Sequence, residues 1–93
     1  MIIRIVKLSF HAEYISNFKT IFEENKQTII SQKGCNRLEI LKDIKDVNVI
    51  FTYSWWDSEE DLNNYRNSEL FKDVWSKTKI LFNNKPEAWS TKK

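Results

Sequence analysis

The sequence is poor in the residues that build most metal, phosphate and redox sites. Its 93 residues include one Cys, one His, one Gly and one Pro. A single Gly excludes a glycine-rich phosphate-binding loop, and one His with one Cys argues against a His/Cys metal site. No Gly-x-Ser-x-Gly segment marks a serine hydrolase. The lone Cys35 cannot form an internal disulfide. A metal site made only of carboxylates stays open, although nothing in the sequence favours one.

The chain also lacks a strong excess of charge of one sign and any long hydrophobic run. The chain has 15 Lys and Arg against 13 Asp and Glu, interspersed, with a net charge of +2, whereas nucleic-acid-binding surfaces cluster their cations. No stretch approaches the roughly 18 apolar residues of a membrane span. Arg4 and Lys7 interrupt the apolar start and no cleavage site follows, so no signal peptide is predicted. We expect one cytoplasmic domain, residues 1–93, without a nucleic-acid or membrane partner.

Aromatic residues are what the chain has in abundance, with four Trp, three Tyr and six Phe. They concentrate where an alternating strand, Phe51–Trp56, runs into the acidic residues of a helix start, Glu59–Asp61. Aromatic side chains bury more area than any others, and a buried indole N–H requires a partner. This content predicts either a thick core or a pocket with aromatic walls. The acidic run is interpreted as favouring the helix dipole rather than as catalytic acid.

Hydrophobic periodicity divides the chain into seven elements. Gly34 is predicted to end the first helix in the left-handed conformation. Asp57 or Ser58 is predicted to cap the second helix, with Glu60 at the capping-box spacing from Asp57, and Asn67-Ser68 to start the third. The predicted order is strand 2–10, helix 12–32, strand 37–42, strand 47–56, helix 58–66, a helix from Ser68 to about 82, and strand 87–91.

This β-α-β-β-α-α-β order predicts an α+β fold, the ferredoxin-like split βαβ arrangement with helices on one face of an antiparallel sheet. The alternation makes both faces of that sheet apolar. Ile3 and Ile5 lie opposite the side of Val6 and Leu8, and the strand from residue 47 carries apolar residues on both sides. An exposed apolar face of this size exceeds what monomers show. We therefore predict a symmetric homodimer.

Three segments resemble the antibiotic biosynthesis monooxygenase superfamily: Gly34-Cys35, Trp56–Glu60 and Ser68–Phe71. The resemblance covers essentially the whole chain. It implies a dimeric α/β barrel with a pocket between sheet and helices in each subunit. It further implies a small aromatic, phenolic or quinol-like ligand, and O2 activated without flavin, metal or haem.

The chain departs from its active relatives at several positions that the resemblance matches. Many quinol-oxidising relatives have His where this chain has Tyr65 and Leu70. Haem-degrading relatives use a strand-one Asn, which is missing here, and a helix His that matches Trp75. Trp has no lone pair for iron. The resemblance implies a cofactor-independent monooxygenase as the first hypothesis. The loss of His at the two family positions favours the alternative, a non-catalytic binding or sensing module, and haem degradation is the weaker third hypothesis.

The candidate site residues follow from this reading. Trp56, Phe71 and Trp75 are predicted to hold the substrate ring, and core packing is the alternative for each. Tyr65 is predicted to hydrogen-bond a substrate oxygen, with core or rim packing as the alternative. His11, the only His, is the candidate proton acceptor, with an exposed cap or hydrogen-bond partner at the strand end as the alternative.

Three further residues have a non-catalytic interpretation. Arg4 and Arg66 are expected in surface salt bridges, with an anionic ligand as the alternative. Cys35 is expected to be a buried, inert thiol.

Overall fold

A computed structural model describes all 93 residues of the chain. Four strands and three α-helices follow one another in the predicted β-α-β-β-α-α-β order, with a 3-10 turn at Ala12–Tyr14 before the first helix. The elements are β1 Ile2–Ser9, α1 Ile15–Ile30, β2 Cys35–Lys42, β3 Val49–Trp56, α2 Glu59–Arg66, α3 Glu69–Lys79 and β4 Glu87–Lys92.

The strands form one antiparallel sheet in the order β2-β3-β1-β4. The crossover through α1 brings β2 to the far side of β3, and the crossover through α2 and α3 returns β4 to the free edge of β1. This is the ferredoxin-like arrangement, so the predicted fold class is confirmed. Its consequence is that all three helices pack on one face of the sheet.

The core lies between that face and the helices. Phe10, Ile50 and Trp56 are completely buried, and the rings of Phe10 and Phe18 stack at 4.7 Å between centroids. Ile2 is the register partner of Trp56 in β3. Even-numbered residues of β1 and β3 therefore face the helices, as the period-two alternation requires.

Gly34 does not end α1. The helix stops at Ile30, and Ser31 is its C-cap. The Gln32 N–H then bonds the Ile29 carbonyl at 3.1 Å, a tighter turn than that of an α-helix. Gly34 lies further along this turn with φ +83°, a conformation that suits glycine. A Cβ at Gly34 would also collide with the Asp61 side chain of α2.

The strand boundaries differ by about two residues from those predicted. β2 begins at Cys35, because an irregularity between Cys35 and Arg37 interrupts the alternation there. β3 begins at Val49 rather than Val47. Val47 is exposed in a turn in which the Asp43 carboxylate accepts from the Asp46 N–H at 2.7 Å.

Two serines start the helices that carry the aromatic residues. The Ser58 hydroxyl accepts a hydrogen bond from the Asp61 N–H, and the Ser68 hydroxyl accepts one from the Phe71 N–H, both at 3.1 Å. Of the two predicted caps for α2, Ser58 is the one used. The Asp57 carboxylate instead accepts from the Asn36 amide at 2.7 Å. α3 ends at Lys79, about one turn earlier than predicted.

Candidate functional site

A cavity of about 370 Å³ lies between the sheet and the helices, within the roughly 300–1,000 Å³ of small-molecule sites. Side chains from β1 and β3 form its floor, and side chains from α1, α2 and α3 form its walls. Of the 21 lining residues 14 are hydrophobic, so an occupant must be largely apolar.

One wall is a chain of four aromatic rings. Trp56 stacks with Tyr65 at 5.1 Å, Tyr65 meets Phe71 edge-on at 5.3 Å, and Phe71 is nearly parallel to Trp75 at 5.9 Å. The structure thus brings all four of these predicted site residues together, and all four line the cavity. The rings of Tyr65, Phe71 and Trp75, which are partly exposed, offer flat apolar surfaces of the kind that an aromatic ligand stacks on.

Trp56 and Trp55 lie on opposite faces of β3. Trp56 is completely buried on the helix side and its indole N–H donates to the Ser54 hydroxyl at 2.9 Å. It has no surface free for a ligand, so its part in the wall is to support the Tyr65 ring. Trp55 lies on the opposite face under the guanidinium of Arg37, 5.0 Å from the ring centroid.

Tyr65 is the one phenol in the cavity. Its hydroxyl makes no hydrogen bond within the chain and is not fully buried, since the only buried side-chain polar atom without a partner is Asn48 Oδ1. Burial, followed by the proximity of Cys35, raises the pKa of Tyr65 to about 12. The hydroxyl therefore stays protonated near neutral pH, and it can donate a hydrogen bond but not act as a base.

Two arginines line the same cavity, Arg4 from β1 and Arg66 from the last turn of α2. The Arg4 guanidinium donates to the Ser90 hydroxyl at 2.9 Å. Neither arginine takes part in any ion pair of the chain, so the expected surface salt bridges are not found. Burial and then the charge of Arg66 lower the pKa of Arg4. The cavity is thus electropositive.

His11 and Leu70 lie outside the cavity lining. His11 is exposed just after the end of β1. Its ring makes an edge-to-face contact with Tyr14 at 5.8 Å between centroids, and its backbone N–H donates to the Leu81 carbonyl. The structure therefore gives no geometric support to His11 as a proton acceptor. Leu70 packs against the core.

Cys35 is half-buried rather than fully buried. Its thiol lies 3.9 Å from the Arg37 carbonyl, and burial raises the pKa of Cys35. This state agrees with an unreactive thiol.

Asn25 also lines the cavity, although it was not among the predicted site residues. Asn25 lies on α1, and its amide N–H donates to the Ile21 carbonyl at 2.8 Å, which leaves the amide oxygen unpaired. The sequence does contain a pattern that indicates this position, because Asn25 lies four residues after Ile21 and four before Ile29, within the apolar stripe of α1. A polar residue in such a stripe indicates either a buried hydrogen bond or a cavity.

The chain contains no group of three or more His, Cys, Asp or Glu side chains arranged to hold a metal ion. None of its helices combines the length and the apolar character that crossing a membrane requires.

Solved structures share this architecture. A conserved protein from Methanosarcina mazei Go1 superposes with a TM-score of 0.92 at 17% identity, over 100% of this chain and 93% of that one. A candidate antibiotic biosynthesis monooxygenase from Nitrosomonas europaea gives 0.91 at 16% identity, over 100% and 98%. Another from Deinococcus radiodurans gives 0.89 at 16% identity, over 100% and 92%. At these identities the likeness shows the fold.

A family model assigns the class. The model of the antibiotic biosynthesis monooxygenase family matches residues 1–76, which include the aromatic wall and both cavity arginines. The chain belongs to the antibiotic biosynthesis monooxygenase family, as its resemblance indicated. No curated protein matches it significantly.

Proposed function

We propose that the chain is a cofactor-independent monooxygenase that acts on a small aromatic, phenolic or quinol-like compound. The observation that carries the proposal is the cavity walled by Tyr65, Phe71 and Trp75, in which the Tyr65 hydroxyl makes no hydrogen bond within the chain. Membership of the family supports the reaction class. The apolar lining supports an aromatic substrate.

In the proposed reaction the substrate loses its proton to solvent, since the cavity lining contains no carboxylate or His to accept it, and the cavity favours the resulting electron-rich anion. Arg4 and Arg66 supply positive potential, and the protonated Tyr65 hydroxyl donates a hydrogen bond to the substrate oxygen. The anion passes an electron to O2, and the radical pair combines. With an anthrone, a ring CH2 becomes a carbonyl, one oxygen atom of O2 enters the product, and the other leaves as water with the two hydrogens. The substrate supplies every electron, so no flavin, metal or haem is required.

The proposal includes a homodimer formed through the sheet face that the helices leave open. Phe51, Tyr53 and Trp55 lie on this face, and Leu41 and Trp89 there are 45% and 47% exposed. The charged side chains of the face already pair among themselves, Arg37 with Glu39 at 3.0 Å and Lys7 with Glu87 at 3.8 Å. A second copy would therefore cover apolar surface without bringing unpaired charges together.

A second candidate function is a non-catalytic module that binds or senses a hydrophobic small molecule. The observation that favours it is the absence of a base, because the cavity lining contains no His, Asp or Glu and the pKa of Tyr65 is raised. A ligand would then bind without turnover and raise the apparent stability.

Oxygen uptake with dithranol, an anthrone, separates the two candidates. The wild type is expected to consume O2 faster than the spontaneous reaction, at one O2 per product. Tyr65→Phe is expected to slow turnover roughly 10- to 100-fold, the value of one hydrogen bond to a charged group. Tyr14→Phe, which removes a hydroxyl outside the cavity lining, serves as the control. No acceleration by the wild type, together with thermal stabilisation by dithranol under nitrogen, selects the binding module.

A further inference from the structure

The cavity holds two positive charges for which the chain provides no negative partner. All four ion pairs of the protein join other residues, and no lining residue is Asp or Glu. The Arg4 side chain makes its one hydrogen bond within the chain to the neutral Ser90 hydroxyl. An arginine stays protonated at any physiological pH, so neither charge can be removed by losing a proton.

This arrangement is costly in the empty protein. Arg4 is half-buried among apolar side chains, and its nearest charged neighbour in the cavity is the like charge of Arg66. Partial burial of an unpaired charge is unfavourable, and the positive charge of Arg66 adds repulsion.

The helix dipole explains the position of Arg66 but not that of Arg4. Arg66 lies in the last turn of α2, where a cation is favoured. Arg4 has no such explanation, because it is a strand residue on the side shared with Val6 and Leu8, the side that packs against the helices. A polar position inside an apolar strand face, aimed into a cavity beside a second cation, is the pattern of an anion-binding site.

We propose that the cavity binds an aromatic carboxylate, with its ring along Trp75, Phe71 and Tyr65 and its carboxylate held by Arg4 and Arg66. This inference rests on the proposed function, since it names the substrate class of the same cavity. A free inorganic anion does not satisfy the lining, most of which is apolar. The Ser90 hydroxyl fixes Arg4 through one N–H and leaves the other guanidinium N–H groups to bind the carboxylate oxygens.

Calorimetric titration with two matched probes tests the inference. 2-Naphthoate and 2-naphthamide have nearly the same shape and differ in charge. The wild type is expected to bind naphthoate at least tenfold more tightly than naphthamide, the scale of one hydrogen bond between charged groups, and the preference is expected to shrink as salt is raised.

Three variants assign the preference to the two arginines. Arg66→Gln, at an exposed position that tolerates change, and Arg4→Gln are each expected to lose most of the preference while still binding naphthamide. Lys72→Gln removes the same charge from the outer surface of α3, where Lys72 pairs with Glu69, and is expected to keep the preference.

The outcomes separate this inference from the proposed function. Equal affinity of the wild type for both probes overturns the carboxylate site and leaves the aromatic cavity standing. A preference that survives in both arginine variants also overturns it. Failure of the wild type to bind either probe overturns the cavity as a ligand site altogether.

Discussion

The Tyr65 ring stacks on the indole of Trp56, with centroids 5.1 Å apart and planes 23° apart. Trp56 is itself fixed by full burial and by its hydrogen bond to Ser54. The edge contact with Phe71 restrains Tyr65 from the other direction. The phenol is therefore held in place by apolar contacts, which position its hydroxyl and also raise its pKa.

Tyr65 is expected to make the protein lose stability at alkaline pH. Its pKa is about 12 when folded and about 10 when unfolded, so above pH 10 the unfolded state releases the proton first and the free energy of unfolding falls. At pH 11 the loss is about 1.4 kcal/mol. Urea unfolding of wild type and Tyr65→Phe from pH 8 to pH 11 measures it. A stability difference between the two that does not change over this range contradicts the prediction.

Ser68→Ala is expected to lower the free energy of unfolding by about 1 kcal/mol, because it removes the hydroxyl that caps α3. The helix carries Phe71 and Trp75, so its first turn is expected to exchange amide hydrogens faster as well. Ser76→Ala is the matched control, since the Ser76 hydroxyl bonds the Asp73 carbonyl within the helix. Equal effects of the two substitutions would falsify the capping role.

Gly34→Ala is expected to cost about 1 kcal/mol or more, because alanine is strained at φ +83° and its Cβ meets Asp61. The change should move α2 away from the turn and with it Tyr65. Lys33→Ala, one residue earlier and exposed, is expected to be nearly neutral. Thermal unfolding of both variants decides, and a Gly34→Ala protein as stable as wild type would show that the turn is not constrained as described.

Tyr53→Lys is expected to give a monomer. Tyr53 lies on the central strand β3 and faces away from the helices, where it packs on Trp55 at 5.2 Å, and a lysine there would place a charge in the proposed interface. Sedimentation velocity is expected to show wild type at twice the 11.2 kDa chain mass. Ile80→Lys, at a 73% exposed position after α3, should remain a dimer. A monomeric wild type removes the dimer from the account.

The order of elements could be predicted because periodicity is a local property. The sides of Trp55 and Trp56 follow the same rule, since adjacent strand residues must point to opposite faces. Which of the two faces the helices depends on the register of β3 against β1, where Trp56 meets Ile2. The sequence alone does not encode that pairing in any local pattern.

The cavity could be predicted only in part. Shared helical faces indicated that Phe71 and Trp75 lie together, but an aromatic face can close into solid core or leave a void, and that depends on how α1 and α3 meet. Arg4 and Arg66, which line the same cavity, lie 62 residues apart in the sequence. Gly34 shows the same limit, because its requirement for glycine comes from Asp61 on another element.

Ligand binding to a cavity-filling variant tests the central claim most directly. Val74 lines the cavity from α3, and Val74→Trp would occupy its volume. Wild type is expected to bind one 2-naphthoate per chain in a calorimetric titration, and Val74→Trp, folded by circular dichroism, to bind none. Unchanged binding to the filled variant would place the ligand elsewhere and contradict the account.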